Sequence, residues 1–342
     1  MDLRGVALFP VIFTIGQADM LPPVQAHFRV GRHLLVCNTA DRSNDSDGPV
    51  SYRHLIERTP MHYSPFIIAL SLAGSALGAA PAGLKESLRF HASFDKTADA
   101  DFARGDGRAY TAPTLQREKP KPGLHRAAVH LTQKGGRYGG ALDFTGKTAE
   151  LLFYRGGSNV PARAGQFQGT FCLWLRVAPN TQLPDGFVDP LQITDKKWNN
   201  ASFFFDFTKD KPRQFRLGVF SDYNFWNPTD RKWETIPDSE RPLIGVSNPP
   251  FRADTWTHVA ATFEDFNQEG ELGVAKLYVN GKMAGILRRP QRFTWGTERL
   301  AIMLGINYVG QLDDLAIFDR SLSGDEVKEV MELPQGIHSL GH

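Results

Sequence analysis

Three neighbouring stretches decide the fold: "WTHVAATFE" (256–264), "VAKLYVN" (274–280) and "KMAGIL" (282–287). In the first, Val259, Ala261 and Phe263 share one face while Trp256, His258 and Thr262 share the other, the period of two that marks a strand buried on one side. Between the second and third stands Asn280-Gly281. A type I′ turn needs positive φ at both central residues, which Asn and Gly tolerate best, so this pair predicts a tight antiparallel hairpin.

Working outward, strand patterns bounded by turn residues recur from residue 84 to the end. Before the hairpin they are 88–95 "LRFHASFD", 140–145 "GALDFT", 150–155 "ELLFYR", 169–178 "GTFCLWLRVA", 201–208 "ASFFFDFT" and 214–220 "QFRLGVF". After it come 299–304 "RLAIML" and 309–318 "VGQLDDLAIF". One helix is predicted, "SGDEVKEVMEL" (323–333), where Ser323 and Glu326 have capping-box spacing and Asp325 and Glu326 suit the positive end of the helix dipole. Parallel strands need crossover helices, and the pattern has none to offer. The expected fold is all-β, a two-sheet antiparallel jelly-roll sandwich with one short C-terminal helix. It should span 84–333, with 334–342 as a tail.

Composition narrows the function. Of 342 residues, 41% are apolar and 22% charged, ordinary for a globular chain. A net charge of +2, scattered as single Arg and Lys residues, gives no footprint for nucleic acid. The two cysteines, Cys37 and Cys172, belong to no Cys/His cluster, which argues against a thiolate zinc site. Cys172 lies in an apolar run and reads as a buried, inert thiol.

Residues 1–60 show no sustained period and read as an upstream extension without a fold of its own. From Phe66 to Leu77 every residue is apolar or small, too short a run to span a membrane at ~20 residues per crossing. Residues 61–82 fit a signal peptide, with Ala76-Leu77-Gly78 or Gly78-Ala79-Ala80 at the cleavage point. The working product would then start at Met61, or at Val50, which adds Arg53 and Arg58 as the positive n-region. Open alternatives are an uncleaved anchor, a buried core segment, and a rival signal in "MDLRGVALFPVIFTIGQA" at the N-terminus. The expected location is secreted, periplasmic or cell-surface, with no membrane span in the mature chain.

Five pieces, in order, resemble the laminin-G-like jelly rolls of the concanavalin A-like lectin and glucanase superfamily: "YGGALDFTG" (138–146), "FCLWLRV" (171–177), "DTWTHVAATF" (254–263), "AKLYVNGKMAG" (275–285) and "GQLDDLAIFDRSLSGDEV" (310–327). The resemblance implies a two-sheet jelly roll used mostly to bind glycans or extracellular partners. It also implies one Ca²⁺ near the junction of the first and last strands, for which Asp95 and Asp313 are the matching acids. The closing strand here reads Asp313-Asp314 where the pattern usually reads Asp-Glu. Asp313 shares parity with the core-facing Leu315 and Ile317, which predicts partial burial. The alternative is that Asp95 caps a turn and Asp313 bonds to backbone amides.

Catalytic signatures are missing from the sequence. Retaining glucanases need two carboxylates about 5 Å apart, supplied by alternating acids on a strand. Here "FEDF" places Glu264 and Asp265 on opposite faces, and "LDD" does the same for Asp313 and Asp314. No GxSxG, HExxH, P-loop or dinucleotide motif occurs. His258 reads as a packing histidine in a Trp-x-His pattern.

The stretch between Phe220 and Trp256 is far longer than a hairpin connection, and long loops tend to be functional. It carries Tyr223, Asn224, Phe225, Trp226, Arg231 and Trp233, while "DKKWNN" adds Trp198 and Asn199. Aromatic faces stack on pyranose rings, and Asn and Arg hydrogen-bond adjacent hydroxyls. Trp198, Asn199, Tyr223, Asn224, Trp226, Arg231 and Trp233 are therefore the candidate carbohydrate contacts, although the same aromatics could instead cover a sheet edge as a satellite core. The expected function is an exported, non-catalytic domain binding polysaccharide or another extracellular glycan. The alternatives are a glycan-active hydrolase and a structural or protein-adhesion module.

Overall fold

The computed structural model describes residues 83–162, 165 and 167–341, and the backbone of two short strands before them. Those two, β1 (His27–Val30) and β2 (His33–Val36), pair antiparallel. The chain divides into two units, residues 1–73 and 74–342. The segment 61–82 and the reading of the start site lie outside the described residues.

The second unit begins with α1 (Leu84–Ser87), then β3 (Leu88–Ala92), β4 (Phe102–Ala103), β5 (Ala109–Ala112), β6 (Lys121–Pro122), β7 (Val129–Thr132), β8 (Ala141–Phe144), β9 (Leu151–Arg155) and β10 (Phe167–Arg176). After α2 (Pro179–Gln182) come β11 (Val188–Thr194), β12 (Ser202–Phe207) and β13 (Phe215–Phe220). Then follow α3 (Tyr223–Trp226), β14 (Leu243–Val246), β15 (Thr257–Phe266), β16 (Gly273–Val279), β17 (Lys282–Arg289), β18 (Ala301–Ile306) and β19 (Gly310–Phe318). The chain closes with α4 (Gly324–Glu332) and β20 (Pro334–Ile337).

Among the described residues one sheet has nine strands, ordered β17-β16-β15-β10-β19-β3-β4, with β8 pairing β19 and β7 pairing β8. The other has eight, ordered β14-β13-β12-β11-β18-β9-β5-β6. All pairings are antiparallel, so the expected jelly-roll sandwich is what forms. Asn280 and Gly281 have φ of 49° and 71°, as the I′ turn demands.

The core lies between the sheets and is aromatic. Phe203, Phe205 and Phe207 of β12 all point into it, and Phe203 stacks on Phe266 and Phe293 with interplanar angles of 19°. Val259, Ala261 and Phe263 join them, as their parity predicted. On the outer face of the nine-stranded sheet, α4 and the C-terminal segment cover Cys172, Ala260, Tyr278, Ala316 and Phe318 with Val327, Val330, Leu333, Ile337 and Leu340. Burial pushes the Cys172 thiol well above its ordinary range, which makes it inert. The capping box on α4 is formed: the Glu326 amide donates to Ser323 Oγ at 3.2 Å, and the Ser323 amide donates to Glu326 Oε2 at 2.9 Å.

Parity fails in one place that matters. Cys172 pairs with Ala316 and Trp174 with Asp313, so Leu173 alone opposes Asp314 and Leu315. Asp314 sits in this bulge with φ of 50°. The extra residue shifts Asp313 out of step with Leu315 and Ile317, onto the outer face beside Trp174. It is nevertheless buried, 1% exposed, because the 135–140 loop "GGRYGG" folds over it.

Candidate functional site

The second outer face, that of the eight-stranded sheet, is only partly covered. Alternation on β12 sends Phe204 and Asp206 outward, opposite Phe203, Phe205 and Phe207. Gln192 of β11, Arg216 of β13 and Met303 of β18 point the same way and help to form the floor of a groove of about 1680 Å³. Gly218 lies directly across from Phe204, whose ring covers it so closely that an added Cβ would meet ring carbons at 2.2 Å. Only glycine lets that aromatic lie flat on the floor.

The walls are three loops tied together by named bonds. Asp222 accepts from the Thr294 hydroxyl at 2.9 Å and from the Lys196 ammonium at 3.2 Å. Asn200 Oδ1 accepts the Tyr223 amide at 3.0 Å, and Trp295 Nε1 donates to the Ala201 carbonyl at 2.6 Å. At the far end Arg117 reaches the carbonyls of Asp195 (3.3 Å) and Arg299 (3.1 Å) and closes over Met303. Trp198 crowns the aromatic wall. Its ring sits 5.4 Å from Phe220 and 5.7 Å from Trp233, both edge-on, yet the residue is 45% exposed. Phe187 and Phe225 are open to a similar degree along the same groove.

The structure brings five of the seven sequence candidates to the groove lining: Trp198, Asn199, Tyr223, Asn224 and Trp233. The other two stand outside that lining. Trp226 packs edge-on against Phe220 at 5.1 Å and donates its Nε1–H to the Asn199 carbonyl at 2.9 Å, so it props the wall from behind. Arg231 pairs with Glu240 at 2.7 Å. Trp233 is steadied by the Arg241 guanidinium, 4.6 Å from its ring. Within the long loop, Leu243–Val246 adds β14 to the edge of the sheet, so less of it is free than its length suggested.

Sequence reasoning missed the charged floor. Asp206 is 2% exposed and held by both arms of Arg216, Nε donating to Oδ1 at 2.9 Å and Nη2 to Oδ2. Asp189, from the adjacent strand, lies beside it at the groove. Burial first, and then the negative charge of Asp206, lift the Asp189 carboxyl well above the ordinary range. Burial raises the Asp206 carboxyl as well, but the hydrogen bonds and charge of Arg216 pull it back, so of the two carboxyls Asp189 is the more readily protonated. "SFFFDF" carried half of this signal, since its alternation already set Phe204 and Asp206 on one face; their partner across the sheet was not legible.

Asp95 and Asp313 do converge on one loop. Asp95 Oδ1 accepts the Gly140 amide at 2.8 Å, and Asp313 Oδ2 accepts the amides of Arg137 at 2.5 Å and Tyr138 at 3.3 Å. These N–H dipoles present positive ends to the carboxylates, where calcium would want a cage of oxygens. Among the described residues, neither acid belongs to a group of three or more His, Cys, Asp or Glu side chains convergent on one point. His258 is buried against Trp174 at 5.1 Å, and burial lowers its pKa to about 3, which leaves it neutral and packed.

The two antiparallel sheets stack as a jelly-roll sandwich, with an aromatic-walled groove on the outer face of the eight-stranded one. The chain belongs to a laminin-G-type family of the concanavalin A-like lectin/glucanases superfamily, whose family profile matches residues 155–328. Among solved structures it is similar to domain 4 of an extracellular GH43 arabinanase from Geobacillus stearothermophilus in complex with arabinotriose. The identity is 16% over 71% of this chain and 97% of that one, with a TM-score of 0.44. It is also similar to the receptor binding domain of the botulinum neurotoxin C/D mosaic serotype, at 13% identity over 73% of this chain and 52% of that one, TM-score 0.49. Thus it spans about half the length of the toxin domain. No curated protein matches the chain.

Proposed function

We propose that this protein is a non-catalytic, extracytoplasmic domain that binds a polysaccharide or other extracellular glycan in the groove of the eight-stranded sheet. The observation that carries the reading is Trp198: a large indole left 45% exposed on a wall otherwise fixed by hydrogen bonds, over a floor of charged and amide side chains. An open aromatic above fixed polar groups suits a sugar ring, which has an apolar face and a rim of hydroxyls. Asp189 can accept from such a rim, and donate to it when protonated, while Gln192 and Asn199 can both donate and accept. The proposal needs no cation at Asp95 and Asp313. No helix among the described residues is long and apolar enough to cross a membrane.

A hydrolase is the second reading, favoured by the Asp189–Asp206 pair, whose environments differ. Against it, Asp206 is 2% exposed and paired through both oxygens with Arg216, so little of its carboxylate is open to a substrate. A protein-adhesion surface fits less well, because the exposed aromatics are interleaved with Lys196, Lys197, Arg292 and Glu234 rather than gathered in an apolar patch. Native affinity electrophoresis through gels containing neutral and acidic polysaccharides is the test. Retardation by at least one of them is expected, and free migration through all of them would overturn the reading.

A further inference from the structure

On the opposite face of the sandwich, away from the groove, the outward side of the nine-stranded sheet carries a second cluster. His91 is on β3, Asp101 on the turn before β4, and His338 on a short 3₁₀ turn after β20. One ligand-capable atom from each lies within 4.8 Å of the other two. The rings of His91 and His338 meet edge to face with centroids 4.9 Å apart. A fourth donor stands close by, with Asp95 Oδ2 3.8 Å from His338 Nε2.

The cluster is braced by surrounding groups. His91 is fully buried, and its Nε2 is 2.7 Å from Asp314 Oδ1. Asp314 Oδ2 in turn accepts the Ile337 amide at 3.2 Å, the residue just before His338. One bulged aspartate therefore orients one imidazole and anchors the backbone that presents the other. Asp101 is fixed too, its Oδ2 accepting the Ser93 amide at 2.7 Å. A carboxylate behind a histidine is the support that metal-binding imidazoles use to set tautomer and ring angle. Access exists, because the side chains of Asp101 and His338 are 31% and 38% exposed.

We propose that His91, Asp101 and His338 bind a borderline divalent transition-metal ion, zinc foremost, which clasps the C-terminal segment to the first strand of the sandwich. Two imidazole nitrogens and a carboxylate suit zinc, whereas calcium takes oxygens alone. Bonds of about 2.0–2.2 Å would draw the three groups together by about 1 Å, a movement the half-exposed His338 can make.

The test uses tag-free, full-length protein, stripped with EDTA and dialysed at pH 7.5, with zinc chloride as the only addition. At about 100 times Kd, zinc should raise Tm by about 5 °C or more. Cobalt in place of zinc should develop visible absorption bands. His338→Ala and Asp101→Asn, both at exposed positions, should weaken zinc binding by about 100-fold or more and remove the shift. Three outcomes would each overturn the site: no shift in the wild type, an equal shift in His338→Ala, or an equal shift with calcium. Because the groove is on the other face, polysaccharide retention should be the same with and without zinc, so the two readings fail separately.

Discussion

Trp198→Ala is the sharpest test of the groove. An indole offers about 250 Å² of surface, and Trp198 is 45% exposed, so roughly 110 Å² is open to a ligand. A sugar covering half of that area removes about 55 Å² from water, worth about 1.5 kcal/mol at ~25 cal/mol/Å²; complete coverage doubles it. The expected loss is therefore about 10-fold in Kd, with about 100-fold as the ceiling. Titration calorimetry with the polysaccharide that retards the wild type would measure it. The other half of the ring packs on Phe220, Phe204 and Trp233, so the variant will also melt earlier; binding is to be measured well below its Tm. Met283→Ala, at a 57% exposed position on β17 of the other sheet, is the bystander control and should bind as the wild type does. If Trp198→Ala binds the retained polysaccharide with unchanged Kd, the ring is wall material and the argument from its exposure is wrong.

Trp226→Ala should behave differently: a loss of about 2–3 kcal/mol in denaturant unfolding, since packing on Phe220 and the bond to Asn199 both go. Asp206→Asn should destabilise the fold by about 1–3 kcal/mol by unpairing Arg216. Wild type, Asp189→Asn and Asp206→Asn should all show only background release of reducing ends. Release by the wild type that Asp189→Asn abolished would make the protein a hydrolase. Glu326 is held down at about 2 by the Arg320 fork and the Ser323 cap, so its folded pKa lies below its unfolded one. That contribution is present above about pH 5 and lost as pH falls towards 2. Glu326→Gln should cost about 1 kcal/mol at pH 7, about half of that near pH 3 and little at pH 2, read from denaturant midpoints.

Much of the sandwich was legible because its strands obey alternation: "WTHVAATF" and "KLYVNGKM" fixed pairing, face and turn with local information alone. Strands β5, β7, β11 and β14 were not read, being short or interrupted, as Pro190 interrupts β11; only a neighbouring strand makes them strands. Asp313 shows the limit of parity, since one left-handed residue, Asp314, moved it to the other face. At the site, aromatic loop residues were visible as types, but Trp198 and Trp226 differ only in what lies behind them. One has open space on a face, the other has Phe220 and a carbonyl, and no local pattern encodes that difference. The His91–His338 approach is less legible still, because it joins residues near opposite ends of the domain through a bulge.

The two outer faces account for the division of labour. A β-sandwich buries its inner surfaces by construction, so its function depends on what is left over outside. The nine-stranded sheet loses that surface to α4, the glycine-rich loop and the C-terminal segment, whose burial of Leu322, Val327 and Val330 leaves little apolar area exposed there. The eight-stranded sheet is capped only at one end, where Tyr110, Phe153 and Met303 cluster and Arg117 folds over. Its remaining floor stays open, and the bonds through Asp222, Asn200 and Trp295 fix the walls before any ligand arrives. A preformed groove spends little conformational entropy on binding, which a weakly interacting ligand such as a sugar requires. Those bonds hold the wall loops to one another, so the groove should keep its shape when a ligand enters.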